Sequence, residues 1–295
     1  MSAPISIAAG CFAPRWHPDW DALRAEILDR VADAACQLVV FPEYAAMAAA
    51  LIGTPKGEPD PMIWAERGAA AHAAWVALMQ EAAQTHGCHI LAGSGPVRVG
   101  GRTLNRAVLV APDGSTGHQD KLIPTPWERR DMAIAGGTGL TLFDTALGKI
   151  GICICYDAEF PLFARALAAA GAGIILVPSC TDTPAGQMRV QIAARARALE
   201  NQCLVVQAPM LGAVPGCDPI HESYGRAGIF GPPDRGQPDD GILALAHPDT
   251  LGWMRHTLDP AKILATRTRG DVTTFADWPL QPAPDLSVET VTLGK

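Results

Sequence analysis

The sequence predicts an α/β fold, a layered arrangement in which short buried strands alternate with helices. Three observations carry this expectation. Apolar runs only a few residues long recur along the chain and end at turn formers. Alanine-rich stretches with helical spacing separate them. Hydrophobic residues make up 48% of the 295 positions and charged residues 18%, which supplies a large core and argues against a disordered chain.

Taken in order, residues 5–11 read as the first strand and 19–35 as a helix with Asp19 or Asp21 as N-cap. Gln37-Leu-Val-Val-Phe41 is a buried strand that stops at Pro42. Residues 62–86 have helical spacing and end at Gly87, a C-terminal stop. His89-Ile-Leu-Ala-Gly93 and Arg106-Ala-Val-Leu-Val-Ala111 are the next strands, and Pro112-Asp113-Gly114 is a turn. Gly93-Ser-Gly95 reads as a turn as well. Strands follow at 141–143 and 149–154, a helix at 160–171, a strand at 173–177, a helix at 187–201 and a strand at 203–207. The segment 212–249, rich in Gly, Pro and Asp, predicts short strands and loops. No repeat or linker interrupts the pattern, so residues 1–275 read as one catalytic domain and 276–295 as an extended C-terminal tail.

A formal net charge of −7, with no Lys/Arg run, argues against a nucleic-acid partner. No apolar stretch is long enough to span a bilayer, so no membrane association is expected. The eight cysteines include no C-x-x-C pair, which leaves no structural zinc site. Several lie in apolar strand-like runs, and the opening Met1-Ser-Ala-Pro-Ile5 lacks a basic segment followed by a long apolar one. Reduced thiols and a cytoplasmic location are the expectation.

Three segments could carry chemistry. In Val39-Val-Phe-Pro-Glu43 a buried strand runs into proline and delivers a carboxylate at its mouth, where α/β proteins place active sites. Asp120-Lys-Leu-Ile-Pro-Thr-Pro-Trp-Glu128 is a proline-broken loop mixing charged and aromatic residues around Lys121. In Lys149-Ile-Gly-Ile-Cys-Ile-Cys-Tyr-Asp-Ala-Glu-Phe-Pro161, Cys153 lies inside the strand run and Cys155 at its end, near a helix N-terminus whose dipole favours a thiolate. Each segment alone also fits a surface acid, a surface lysine or a buried inert thiol. Their order, each at a strand exit, is far more specific.

Phe41-Pro-Glu43, Lys121-Leu-Ile-Pro124 and Cys155-Tyr-Asp-Ala-Glu-Phe-Pro161 resemble the three signature segments of the nitrilase-like carbon–nitrogen hydrolase superfamily. Val177-Pro-Ser179 and Arg197-Ala-Leu-Glu-Asn201 resemble further family features, and the likeness runs from about Ile5 to Phe275. The resemblance implies a four-layer α-β-β-α sandwich that commonly dimerises through its helices, hence a homodimer or higher homo-oligomer. It implies a catalytic triad of Glu43, Lys121 and Cys155, with Glu128 matching a second glutamate beside it. No metal or organic cofactor is implied.

In such a site Glu43 takes the thiol proton and later activates water. Lys121 and the backbone N–H of Tyr156 receive the oxyanion as Cys155 attacks a carbonyl carbon. Cys155-Tyr-Asp with Phe160-Pro161 looks like the amidase branch, while the Lys121-to-Glu128 spacing is like that of the nitrilase branch. The expected function is hydrolysis of a small-molecule amide through a thioester; a nitrilase, an acyl transferase and a non-catalytic binding protein with the same fold are the alternatives. Ser179, Cys180, Thr181, Tyr156 and Trp127 are expected to line the substrate pocket, and Arg129 or Arg130 to reach it. A papain-like arrangement finds no support, because His89, His118 and His221 carry no protease segment.

Overall fold

The computed structural model describes residues 4–281 and 289–291. In chain order the first half contains β1 (Ile5–Cys11), α1 (Trp20–Ala34), β2 (Leu38–Val40), α2 (Met47–Ala50), α3 (Pro61–His86), β3 (His89–Val99), β4 (Arg102–Val110), β5 (Thr116–Asp120), α4 (Pro126–Asp131) and β6 (Ile134–Ala135). The second half begins with β7 (Leu142–Thr145), β8 (Gly148–Ile152), α5 (Pro161–Ala169), β9 (Ile174–Ser179), α6 (Pro184–Asn201) and β10 (Leu204–Pro209). It continues through β11 (Gly212–Ala213), β12 (Glu222–Ser223), β13 (Gly228–Phe230), β14 (Ile242–Leu245), β15 (Gly252–Leu258), α7 (Pro260–Leu264), α8 (Thr266–Arg269) and α9 (Thr274–Asp277).

One sheet has the order β15-β1-β2-β3-β4-β5 with β6 beside β4; the other runs β14-β13-β10-β9-β8-β7. Their facing sides share one apolar core that includes Ile7, Val40, Leu91 and Leu109 from the first sheet and Ile150, Ile152 and Ile174 from the second. A second core seats Leu23, Ile27 and Val31 of α1 and Trp75, Leu78 and Met79 of α3 on the outer side of the first sheet. Helices α5 and α6 pack Leu167, Val190 and Ala194 on the second sheet. The result is the expected α-β-β-α sandwich.

Local chemistry sets the helix ends. Asp19 caps α1 by accepting from the N–H of Ala22 at 2.9 Å. Asp60 caps α3, Pro61 opens it, and Gly87 closes it at φ 63°. Thr183 and Pro184 start α6.

The structure departs from the sequence reading at five places. Gly93-Ser-Gly95 is no turn: it lies within β3, where the pairing with β4 shifts register between Leu91 and Ser94. Thr116–Asp120 forms β5 despite its polar composition, because it borders the sheet and pairs only with β4. Gly252–Leu258 returns to the first sheet, antiparallel to β1, a partnership that no local pattern encodes. Helix α6 begins at Pro184 rather than at 187, and it buries Ala193, Ala194 and Ala198 while Met188, Ile192 and Leu199 are exposed. The tail expected from Ala276 starts as helix, in α9 and a 3₁₀ turn at Trp278–Leu280. Arg165 sits over the rings of Phe275 and Trp278 and holds this segment. The remainder of that tail, 282–288 and 292–295, lies outside the described residues.

The β3 irregularity shapes the end of β2. Gly93 adopts φ 68°, and a Cβ there would overlap the carbonyl oxygen of Pro42. At Gly95 a Cβ would stand 2.6 Å from the Cβ of Ala46. The absent side chains let the segment Pro42–Ala46 lie directly on β3, where Ser94 accepts from the N–H groups of Tyr44 and Ala46 at 3.3 and 3.2 Å. Gly93→Ala is therefore expected to destabilise the protein by at least about 2 kcal/mol, from a left-handed non-glycine residue plus a backbone clash. A urea midpoint unchanged from wild type, at constant m-value, would count against this account.

Candidate active site

The site is assembled from strand exits of both sheets. Glu43 follows β2 and Lys121 follows β5, both from the first sheet; Cys155 follows β8 and Cys180 follows β9, both from the second. Glu128 arrives on α4. The loop expected there forms a short helix because Thr125-Pro-Trp-Glu128 is a capping box. The Thr125 side chain accepts from the Glu128 N–H at 3.2 Å, and the Glu128 carboxylate accepts from the Thr125 N–H at 2.7 Å.

At the centre, the Lys121 Nζ donates to Glu43 Oε1 at 2.8 Å and to Glu128 Oε2 at 2.7 Å, with all three side chains buried. Burial alone would lower the Lys121 ammonium, but Glu128 and Glu43 hold it well above its ordinary value. Glu43 is raised, chiefly by burial and further by Glu128, with Lys121 opposing. Glu128, although burial pushes it up, is held below the usual carboxylate range by Lys121 and by hydrogen bonds from Tyr44 and Thr125. Two carboxylates on one ammonium are thus driven apart: Glu128 stays ionised and Glu43 moves toward the range where it exchanges protons.

Cys155 opens a 3₁₀ turn, Cys155–Glu159, and α5 begins only at Pro161. Its φ of 48° and that of Tyr44 at 60° are left-handed conformations at non-glycine residues. The Cys155 thiol donates to the carbonyl oxygen of Cys180 at 3.6 Å. The expectation of a dipole-stabilised thiolate is not met. Burial and the neighbouring Glu43 push the thiol well above its ordinary value, and Lys121 offsets only part of that. Cys153 is buried in the strand's continuation and is raised by burial as well.

Backbone contacts lock the parts together. The Cys180 N–H donates to Glu43 Oε2 at 2.9 Å, so one residue touches both the carboxylate and the thiol. The Asp157 carboxylate accepts from the N–H groups of Leu122 and Ile123 at 3.0 and 2.9 Å, which ties the cysteine turn to the lysine loop. Burial pushes Asp157 up to about 6. Arg197 on α6 donates to the Ala158 carbonyl at 2.9 Å and braces the same turn.

These residues floor a cavity of about 680 Å³. Trp127, Tyr156, Cys180 and Thr181 line it, as the sequence reading expected. Ser179 does not: it ends β9 with its hydroxyl buried and unpaired with protein. Arg130 lines the cavity and pairs with Asp131 at 2.7 Å, whereas Arg129 turns back to the Pro124 carbonyl.

Sequence reasoning missed two members of the centre. Asn105 Nδ2 donates to Glu43 Oε1 at 2.9 Å and to Glu128 Oε1 at 3.1 Å. Tyr44 donates its hydroxyl to Glu128 Oε1 at 2.6 Å. A signal for Asn105 existed: it shares the strand face of Ala107 and Leu109, which is a core face.

Comparison with known proteins gives the family and the fold. The sequence model of the carbon-nitrogen hydrolase family matches residues 15–267. The probable hydrolase YhcX of Bacillus subtilis is 35% identical over 222 residues, covering 75% of this chain and 43% of that protein. A deaminated glutathione amidase of Synechocystis is 30% identical over 200 residues, covering 61% of this chain and 72% of that one. Nit3 of Saccharomyces cerevisiae, a member of branch 10 of the nitrilase superfamily, shares the fold with a TM-score of 0.70 at 22% identity, covering 96% of this chain and 97% of its own. The aligned part thus spans less than half of the Bacillus relative, while the family match spans most of this chain. The chain belongs to the carbon-nitrogen hydrolase family.

Proposed function

We propose that the protein hydrolyses the carbon–nitrogen bond of a small-molecule amide, with Cys155 as nucleophile, Glu43 as general base and Lys121 as oxyanion partner. The observation that carries this reading is the buried Glu43–Lys121–Glu128 array beside Cys155 on the floor of one cavity. The amidase name of the Synechocystis relative and the Cys155-Tyr-Asp segment both favour an amide over a nitrile.

The resting thiol is protonated, so attack and proton transfer to Glu43 go together. As sulfur bonds to the carbonyl carbon, the substrate oxygen takes up negative charge. Lys121 has three N–H donors, and two are held by carboxylates, which leaves the third for that oxygen. The Tyr156 peptide N–H, one residue after Cys155, is the second donor in this scheme. Glu43 then passes its proton to the departing nitrogen, and ammonia or an amine leaves. Water attacks the thioester with Glu43 again as base, and the acid departs with Cys155 restored. Glu128 holds Lys121; each of its oxygens already accepts from two protein donors, so it does not bind substrate nitrogen.

A homodimer and a cytoplasmic location belong to the same proposal. Met188, Ile192 and Leu199 on α6 and Leu162 on α5 expose apolar surface suited to a second copy. All eight cysteines are unpaired, which fits a reducing compartment. Among the described residues no helix is long and apolar enough to cross a membrane.

Ammonia release from a panel of amides, carbamoyl compounds and nitriles identifies the substrate class. Cys155→Ala is expected to abolish turnover in a folded protein, while Cys153→Ala costs packing only. Full activity in folded Cys155→Ala removes the proposal.

Glu128→Gln is expected to lower kcat by on the order of a hundredfold or more. It also lowers the melting temperature, because an amide N–H₂ must then face donors in a buried site. Wild-type kcat in that variant would place Glu128 outside the machinery. Light scattering at micromolar concentration is expected to give twice the 31.0 kDa chain mass, and a monomer would refute the dimer.

A further inference from the structure

We propose that Asn105 is a positioning residue of this reaction: its side-chain amide clamps Glu43 Oε1 so that Oε2 alone is left to take the thiol proton. The inference rests on the reading of Glu43 as the base.

The argument is one of counting acceptors. Two carboxylates offer about eight lone-pair positions. Glu128 Oε1 accepts from Tyr44 and Asn105, and its Oε2 from Lys121 and the Thr125 N–H, so Glu128 is filled. Glu43 Oε1 accepts from Lys121 and Asn105 and is likewise filled. Glu43 Oε2 accepts from the Cys180 N–H and keeps one acceptor position. That position lies on the oxygen next to Cys180, and Cys180 is the residue whose carbonyl accepts from the Cys155 thiol. Among the described residues Asn105 is the only neutral side chain that bonds both carboxylates. Its backbone carbonyl also accepts from the Lys121 peptide N–H at 2.9 Å, so the same residue bonds both carboxylates and fixes the main chain at Lys121.

Asn105 does this at its own expense. It is fully buried, and among the described residues its Oδ1 has no hydrogen-bond partner. The amide is oriented to serve two other residues, since the reverse orientation would set oxygen against carboxylate oxygens. Unlike Lys121, the amide adds no charge. It fixes both carboxylates without neutralising either.

A donor to a carboxylate favours its ionised form, so removing Asn105's N–H₂ is expected to move Glu43 further up from a value that burial has already raised. The test needs no known substrate. Carbamidomethylation of Cys155 by iodoacetamide, followed by mass spectrometry from pH 4 to 10, reads the ability of Glu43 to take the thiol proton. Asn105→Leu keeps the branched outline and removes both donors; Asn105→Ser is smaller and keeps one hydroxyl. Leu109→Ala, on the same face of β4, controls for loosening of the core.

For Asn105→Leu the acid limb of the rate profile is expected to shift upward by about one pH unit, tenfold at a fixed pH on that limb, with a smaller shift for Asn105→Ser. The Leu109→Ala limb stays in place although its melting temperature falls. An unmoved limb in either folded Asn105 variant overturns the proposal, as does an equal shift in Leu109→Ala. Failure of both Asn105 variants to fold overturns it too, because it assigns the residue to the fold. If Cys155 of the wild type reacts no faster than the other cysteines, the reading of the whole site fails instead.

Discussion

The centre of this molecule depends on keeping one ammonium charged in a place without water. Lys121 is fully enclosed, and an unpaired charge so buried would lose its proton or unfold its surroundings. Two carboxylates prevent this, but they bring a second problem, since two anions facing one cation leave an excess negative charge in the interior. The protein handles that excess with neutral donors: the Tyr44 hydroxyl, the Asn105 amide and the backbone N–H groups of Thr125 and Cys180. A buried ion array stabilises little by itself, and removing one member leaves the others uncompensated. The array is better understood as a reactive device that the fold supports than as a source of fold stability.

That requirement explains why the site uses both sheets. The carboxylate and the ammonium come from one sheet, the thiol and the Cys180 peptide from the other, so the geometry depends on the sheets staying in register across the shared core. Two local devices link the halves. Asp157, from the cysteine turn, holds the two N–H groups that follow Lys121. Gly93 and Gly95 remove side chains from β3 so that the Glu43 segment can settle on it. None of these three residues touches substrate in the proposed scheme, yet together they fix the strand exits that carry Lys121 and Glu43.

Much of this was legible in the chain. Asp19, Gly87 and the apolar spacing placed α1 and α3 to within a residue, because caps and periodicity are local. Glu43, Lys121, Glu128 and Cys155 were legible because each follows or replaces a turn signal in a recognisable segment. What escaped was non-local. The partnership of Gly252–Leu258 with β1 joins opposite ends of the domain. Thr116–Asp120 is a strand by virtue of its neighbour rather than its residues. Asn105 lay just outside the strand expected from Arg106, and only the longer β4 puts it on the core face. Thr125-Pro-Trp-Glu128 is the exception, since a capping box is visible in sequence and the prolines at 124 and 126 suggested a loop instead.

The thiol shows most clearly where sequence logic and structure part. A cysteine ahead of a helix invites the inference of a preformed thiolate, and a helix dipole does favour one in open surroundings. Here the first helical element after Cys155 is a five-residue 3₁₀ turn, whose aligned peptides are few, while burial and the Glu43 charge both act against ionisation. A preformed thiolate would also add a second uncompensated anion beside Glu43. Keeping the proton on sulfur until substrate arrives avoids that. In the proposed scheme the same proton passes, through Glu43, to the nitrogen that must leave. A resting thiolate would have lost it to solvent beforehand, and the leaving group would need another acid. The raised thiol is therefore consistent with an amide substrate, whose amine departs only once protonated.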